Sequence, residues 1–193
     1  LINYSSDTQK KEYLPKMVKG EIITAIAMTE PGTGSDLQNI KTKATVKENN
    51  IILNGSKTFI TNGQNANLVL VVAKTDSTKK AKGISIVLCE DYRKGFEKGK
   101  NLKKIGMQAQ DTSELFFHDV ELPIENILGQ SGQGFGQLMD ELPQERLSIA
   151  VTAIAAAESA LDWTISYTKE RTAFNTKIID FQNTKFTLAK LKS

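Results

Sequence analysis

Two short segments and one helical stretch carry the residue types from which a reaction centre could be built. The first is Met28-Thr29-Glu30-Pro31-Gly32-Thr33-Gly34-Ser35-Asp36. An apolar stretch ends there in a glycine-rich loop flanked by hydroxyls. Gly32 and Gly34 let backbone N–H groups converge without side-chain obstruction, and such concavities bind anions, with Ser35 adding a neutral donor. Read as composition, the same residues make an ordinary turn, because Pro-Gly and Gly-Ser pairs are common in loops. No Gly-Lys-Ser/Thr follows, so this is not a Walker loop, and the third glycine of a Gly-x-Gly-x-x-Gly dinucleotide turn is missing.

The second segment is Asn54-Gly55-Ser56-Lys57-Thr58-Phe59-Ile60-Thr61-Asn62-Gly63. Phe59 and Thr61, two apart on a strand, point the same way. The ring could cover one face of a flat cofactor and the hydroxyl could bond its edge; a core Phe beside a surface Thr in a hairpin is the commoner arrangement. The third feature is a pair of carboxylates one helical turn apart, Glu141 and Glu145, around Leu142-Pro143-Gln144-Glu145-Arg146-Leu147. A general base must reach its proton and have a tuned pKa, and burial raises a carboxylate's pKa toward neutrality. Leu142 and Leu147 would desolvate Glu145. Pro143 removes one helical N–H and disturbs the preceding turn, and irregular helix there can aim a side chain into a pocket. Read alone, Glu145 is a solvated helix residue, with Glu141 as its competitor.

The elements that must position these residues fall into three regions. Residues 6–19 read as a helix started by Ser6 or Asp7 and ended by Gly20, with Tyr13, Leu14, Met17 and Val18 on one face and Pro15 breaking it in two. Residues 21–122 read as short strands: Glu21 to Thr29, Lys41 to Val46, Ile51 to Leu53, Thr58 to Thr61, Leu68 to Ala73, Ile84 to Cys89 and Ser113 to Val120. Asn49-Asn50, Gly55 and Asn62-Gly63 supply the turns. This spacing predicts an antiparallel barrel or sandwich and argues against alternating βαβ units. Residues 133–193 read as helix, with Phe135, Leu138, Met139, Leu142, Leu147, Ala150, Ala153, Ile154, Ala157 and Leu161 on one broad face and a second helix starting near Asp180 or Phe181.

Composition bounds the rest. Of 193 residues, 25 are Lys or Arg and 22 are Asp or Glu, a net charge of +3 that is too small and dispersed to argue for nucleic acid. The single cysteine, Cys89, excludes an internal disulfide and a Cys-x-x-Cys zinc pair; it reads as an inert strand residue. The single histidine, His118, reads as structural, so no metal site is expected. No apolar run is long enough to span a bilayer. The chain starts on Leu and its last helical pattern runs into Lys192-Ser193, as expected of a segment of a longer protein.

Taken together, the segments resemble the acyl-CoA dehydrogenase family. The likeness extends to Gln9-Lys10-Lys11-Glu12-Tyr13-Leu14-Pro15 with Gly20-Glu21, to Gly106-Met107-Gln108-Ala109-Gln110-Asp111-Thr112, and to Glu170-Arg171-x-x-Phe174 with Gln182. It covers essentially the whole chain, and Leu142 to Leu147 is most similar to the long-chain branch. The resemblance implies an α+β multidomain segment: residues 1–24 ending an N-terminal helical domain, 25–123 forming a β middle domain, and 124–193 starting a C-terminal helical domain. It implies FAD between the β domain and the helices. Ile26, Met28, Thr29, Gly34 and Ser35 would line the flavin and pyrophosphate, with Ser35 near phosphate or the CoA arm, and Phe59, Ile60 and Thr61 would flank the ring. Many members carry Trp where Phe59 stands. Arg171, Phe174 and Gln182 would reach the FAD of a neighbouring subunit in a homotetramer; Asn175 stands where the family usually has Gly. Glu145, just before Arg146, matches the subset of members that carry the base on the first helix after the β domain, with Leu142, Pro143 and Arg146 beside the substrate. The implied reaction is α,β-dehydrogenation of a medium- or long-chain fatty acyl-CoA, with electrons passed to electron-transfer flavoprotein, in the bacterial cytoplasm or the mitochondrial matrix. An acyl-CoA oxidase, or a flavin-domain segment that does not turn over, are the alternatives.

Overall fold

Helix α1 runs from Asp7 to Val18 in the computed structural model, which describes every residue from 1 to 193. Its start is a reciprocal cap: the Gln9 amide donates to the Ser6 hydroxyl at 3.2 Å and the Ser6 amide to the Gln9 side chain at 3.0 Å. Gly20, at φ +73°, ends it, with the Glu21 amide bonded back to the Lys16 carbonyl at 2.9 Å. Pro15 does not break the helix, contrary to the sequence expectation. It sits in the last turn, where the one lost N–H is followed by few further bonds. Tyr13 is also buried and donates to Glu90 at 2.9 Å, so packing holds the segment helical.

Seven strands form one mixed sheet: β1 (Thr24–Ala27), β2 (Lys43–Lys47), β3 (Asn50–Thr61), β4 (Leu68–Lys74), β5 (Ile84–Glu90), β6 (Phe96–Asn101) and β7 (Thr112–Pro123). Most pairings are antiparallel, as the turn spacing predicts. β4 is the exception: β1 and then β2 lie parallel along one of its edges while β5 takes the other antiparallel. The core comes from the inner faces of these strands, including Ala27, Ile51, Leu53, Val69, Val71, Val87, Leu115 and Phe117. Cys89 lies within it, and burial pushes its thiol up to about 12, in keeping with an inert strand residue.

Gly55 was expected to break the chain into separate strands; β3 runs through it instead. Gly55 adopts φ +150°, and a Cβ there would lie 2.7 Å from the Thr42 Cα, so the position serves close approach of backbone to β2. β6, rich in charge, has no apolar alternation and was not foreseen. The first compact unit comprises Leu1–Met139 and includes the opening turns of helix α2 (Gly134–Glu170). Gly134 packs where a Cβ would come within 2.6 Å of the Ser85 backbone, and Gln137 donates to the Leu128 carbonyl at 3.0 Å.

The second unit, Asp140–Ser193, contains the rest of α2, a hairpin of β8 (Thr172–Ala173) and β9 (Thr176–Lys177), and α3 (Gln182–Lys192). The helix continues through Pro143, which has no N–H to give the Met139 carbonyl. Nor does the apolar face expected from Leu147 to Leu161 become core. Leu147, Ile149, Val151 and Ile154 are each about 60–70% exposed. No helix is long and apolar enough to cross a membrane.

Candidate functional site

At the end of β1 the chain folds into a four-residue turn. The Glu30 amide donates to the Thr33 carbonyl at 2.9 Å and the Thr33 amide to the Glu30 carbonyl at 3.0 Å. One of the amides expected to converge on an anion is therefore used inside the turn. Gly32, Gly34 and Ser35 are exposed, and a Cβ at either glycine would meet nothing within 4 Å.

β3 positions the second segment through a bulge. Its register against β7 steps from Lys57↔Leu115 to Ile60↔Ser113, so one extra residue sits on β3. The extra residue changes which face each side chain takes. Lys57 and Thr58 are both buried, Phe59 is 66% exposed, Ile60 returns to the core, and Thr61 is exposed again. Phe59 and Thr61 do point to the same side, as alternation predicts. Ile60 can meet a ligand only with its backbone. Phe59 has φ +59°, a left-handed conformation that a bulky aromatic rarely takes and that marks functional sites more often than chance. The Thr58 amide donates to the Thr29 carbonyl at 2.9 Å, which sets the bulge beside Met28 and Thr29. Gln110, from the Gly106–Thr112 stretch, donates to the Thr61 hydroxyl at 3.4 Å.

Behind this surface lies a buried ion pair that sequence reasoning missed. The Lys57 ammonium is fully buried and contacts the Glu30 carboxylate at 3.0 Å. It also donates to the Met28 carbonyl at 2.9 Å. The Glu30 carboxylate accepts from the backbone amides of Lys41 at 2.6 Å and Thr42 at 2.9 Å. Burial pulls Lys57 down to about 8, with Glu30 acting the other way. Burial pushes Glu30 up, but donation from Thr42 and the Lys41 amide, with Lys57 alongside, leaves its carboxyl below the usual range. The available signal was a lysine inside a strand whose parity a bulge had changed, and no periodicity rule reveals that.

Glu90 is a second buried carboxylate of this unit. Burial pushes it up; Arg93 at 2.8 Å and the Tyr13 hydroxyl outweigh that and hold it below the usual range. Carboxyls lowered in this way stabilise the fold above their unfolded pKa of 4.5, and that contribution is lost as pH falls through their folded values. Urea unfolding midpoints are expected to stay flat from pH 7 to about 5 and to fall steadily below about 4.5. A midpoint unchanged at pH 3 would contradict this assignment.

In the second unit Glu145 is exposed, as are Pro143 and Arg146, while Leu142 and Glu141 are half-buried. Leu147 is 59% exposed, so the apolar enclosure expected around the Glu145 carboxylate is not supplied by this chain's own residues. Arg171 follows α2, and its carbonyl accepts from the Ile178 amide at 2.9 Å across the hairpin. Phe174 stands at the hairpin tip, 94% exposed, and Gln182 opens α3. The tip is a two-residue loop between Ala173 and Thr176, with φ +53° at Phe174 and +58° at Asn175. Positive φ at both centres is what a type I′ turn requires, and Asn tolerates it best after Gly. Asn175 thus suits the turn. Asn175→Val is expected to cost about 1–2 kcal/mol and Asn175→Gly nothing; urea unfolding of the two variants side by side tests this, and equal stability would remove the strain argument.

Two family models match the chain in order: "Acyl-CoA dehydrogenase, middle domain" over residues 25–120 and "Acyl-CoA dehydrogenase, C-terminal domain" over residues 132–193. The chain is 49% identical, over its whole length, to the mitochondrial long-chain specific acyl-CoA dehydrogenase of Sus scrofa, of which it spans 45%. Among solved structures, an acyl-CoA dehydrogenase from Geobacillus kaustophilus superposes with a TM-score of 0.95 at 48% identity, covering 99% of this chain and 51% of that one. A structure titled "PigA with FAD and proline" superposes with a TM-score of 0.94 at 30% identity, covering 98% of this chain and 49% of that one. The chain thus spans about half the length of the proteins it matches.

Proposed function

The chain belongs to the acyl-CoA dehydrogenase family of oxidoreductases, and on that premise we propose that the whole protein binds FAD and removes two hydrogens from the α and β carbons of a medium- or long-chain fatty acyl-CoA. The observation that carries this reading is the Thr58-to-Thr29 backbone bond, which sets the exposed Phe59 and Thr61 beside Met28 and Thr29. The residues present fit a flavin. An outward-turned apolar ring at Phe59, an exposed Ile26, hydroxyls at Thr29 and Thr61, and open space over Gly32 and Gly34 provide for a flat heteroaromatic with a phosphate tail. The long-chain specific relative supports the substrate range, and the FAD named for PigA supports the cofactor.

Bound FAD supplies the hydride acceptor. This chain's own residues would do the rest. Ile26, Met28 and Thr29 would line the ring edge, and Gly34 and Ser35 would face phosphate or the CoA arm. Phe59, the Ile60 backbone and Thr61 would cover and bond the ring. Glu145 would take the α-proton, with Leu142, Pro143 and Arg146 at the thioester. Arg171, Phe174 and Gln182 would reach a neighbouring subunit's cofactor in a homotetramer. Electron-transfer flavoprotein is the proposed acceptor, and bacterial cytoplasm or mitochondrial matrix the proposed compartment.

The purified whole protein is expected to be yellow and to bleach when an acyl-CoA is added without oxygen. A colourless protein that takes up no FAD would overturn the reading. Rapid consumption of oxygen by the bleached protein would make it an oxidase.

A further inference from the structure

We propose that the buried Glu30–Lys57 pair is a positioning clamp, which fixes the Met28–Thr29 backbone and the Phe59 bulge in one relation so that both can meet the same flavin. The inference rests on the flavin reading above and adds two residues to it, neither of which touches the cofactor.

The pair's hydrogen bonds converge on three separate segments. Lys57 reaches the Met28 carbonyl, immediately before Thr29. Glu30 holds the Lys41 and Thr42 amides at the entry to β2 and, through its own backbone, closes the turn that starts the glycine loop. Lys57 itself precedes the bulge, and the next residue, Thr58, bonds back to Thr29. The result is a closed ring of contacts, Met28 to Lys57 to Thr58 to Thr29, with Glu30 bracing it from behind. A bulky residue at φ +59° persists only where its surroundings over-determine it, and this ring supplies that constraint.

A buried ion pair is a poor way to stabilise a fold, since well-packed apolar residues of the same volume do as well or better. Fixing a geometry is a different task. Groups that hold a ligand act well only when a supporting shell locks them to within about half an ångström. Lys57 is fully buried, so its charge serves nothing at the surface.

The test uses the whole protein stripped of flavin and reconstituted. The double variant Glu30→Gln/Lys57→Met removes both charges together, so little stability is at stake. It is expected to fold with an unfolding midpoint close to wild type, yet to bind FAD at least about tenfold more weakly, with a shifted visible flavin band. Glu30→Asp keeps both charges but is one methylene too short to hold Lys57 and both amides at once. It is expected to weaken FAD binding in the same direction, and it carries the test if the double variant does not fold. A folded variant with wild-type FAD affinity and spectrum would show the pair to be structural only and overturn the proposal. A wild-type protein that binds no FAD would instead overturn the reading beneath it.

Discussion

Glu145→Gln in the whole protein is expected to leave FAD bound while slowing flavin reduction by an acyl-CoA by about a hundredfold to ten-thousandfold, the range over which a positioned general base acts. The substitution keeps the side chain's shape and removes only its capacity to hold a proton. The α-hydrogen of a thioester is weakly acidic, so its removal needs a carboxylate within hydrogen-bond reach. Within this chain Glu145 is exposed on a continuous helix, so whatever desolvates it must come from surfaces other than its helical neighbours Pro143, Arg146 and Leu147. Stopped-flow bleaching of the flavin measures the effect. Undiminished reduction would transfer the role elsewhere, and Glu141→Gln is the comparison that shows whether the carboxylate one turn earlier holds it.

Lys57→Met is expected to destabilise the protein by about 3–5 kcal/mol, the cost of removing one partner from a buried ion pair. The reasoning is local. The ammonium is fully buried and serves two acceptors, Glu30 and the Met28 carbonyl. Without it the Glu30 charge stays in the interior with only the Lys41 and Thr42 amides, and the Met28 carbonyl loses its donor. Urea unfolding reads the loss directly. Adding Glu30→Gln should return most of it, because the stranded charge then disappears; a double-mutant cycle isolates that coupling. A loss below about 1 kcal/mol for the single variant would mean the interior accommodates Glu30 without its partner.

Local chemistry decided how much could be read from residues alone. Ser6 and Gly20 marked α1 because caps act over three or four residues. The apolar runs at Leu68 and Ile84 marked β4 and β5 because strands buried on both sides need no alternation. The motif segments 28–36 and 54–63 pointed to the candidate site. What escaped depends on distant partners. Pro15 and Gly55 were read as breaks by local rule, and packing overrode the first while close approach to Thr42 explains the second. The charged strand β6 exists because β7 lies beside it. Glu30 and Lys57 lie 27 positions apart in sequence, so no local pattern pairs them.

The two irregularities between β3 and β7 bear on which length changes this region can survive. Near Gly55 the extra residue is on β7, whereas past Lys57 it is on β3. They cancel, so Asn50 meets Pro123 and Thr61 meets Thr112. The strand pair thus behaves like a message with an insertion and a compensating deletion. Loss of Thr58 alone would remove the bulge and leave Ile60 opposite Ser113 and Thr61 opposite Thr112, with Phe59 still outward and Ile60 still in the core. A one-residue change inside the regular ladder from Asn50 to Leu53 has no such buffer and would put the pairs beyond it out of register, so single-residue length variation here should be found at the two irregularities.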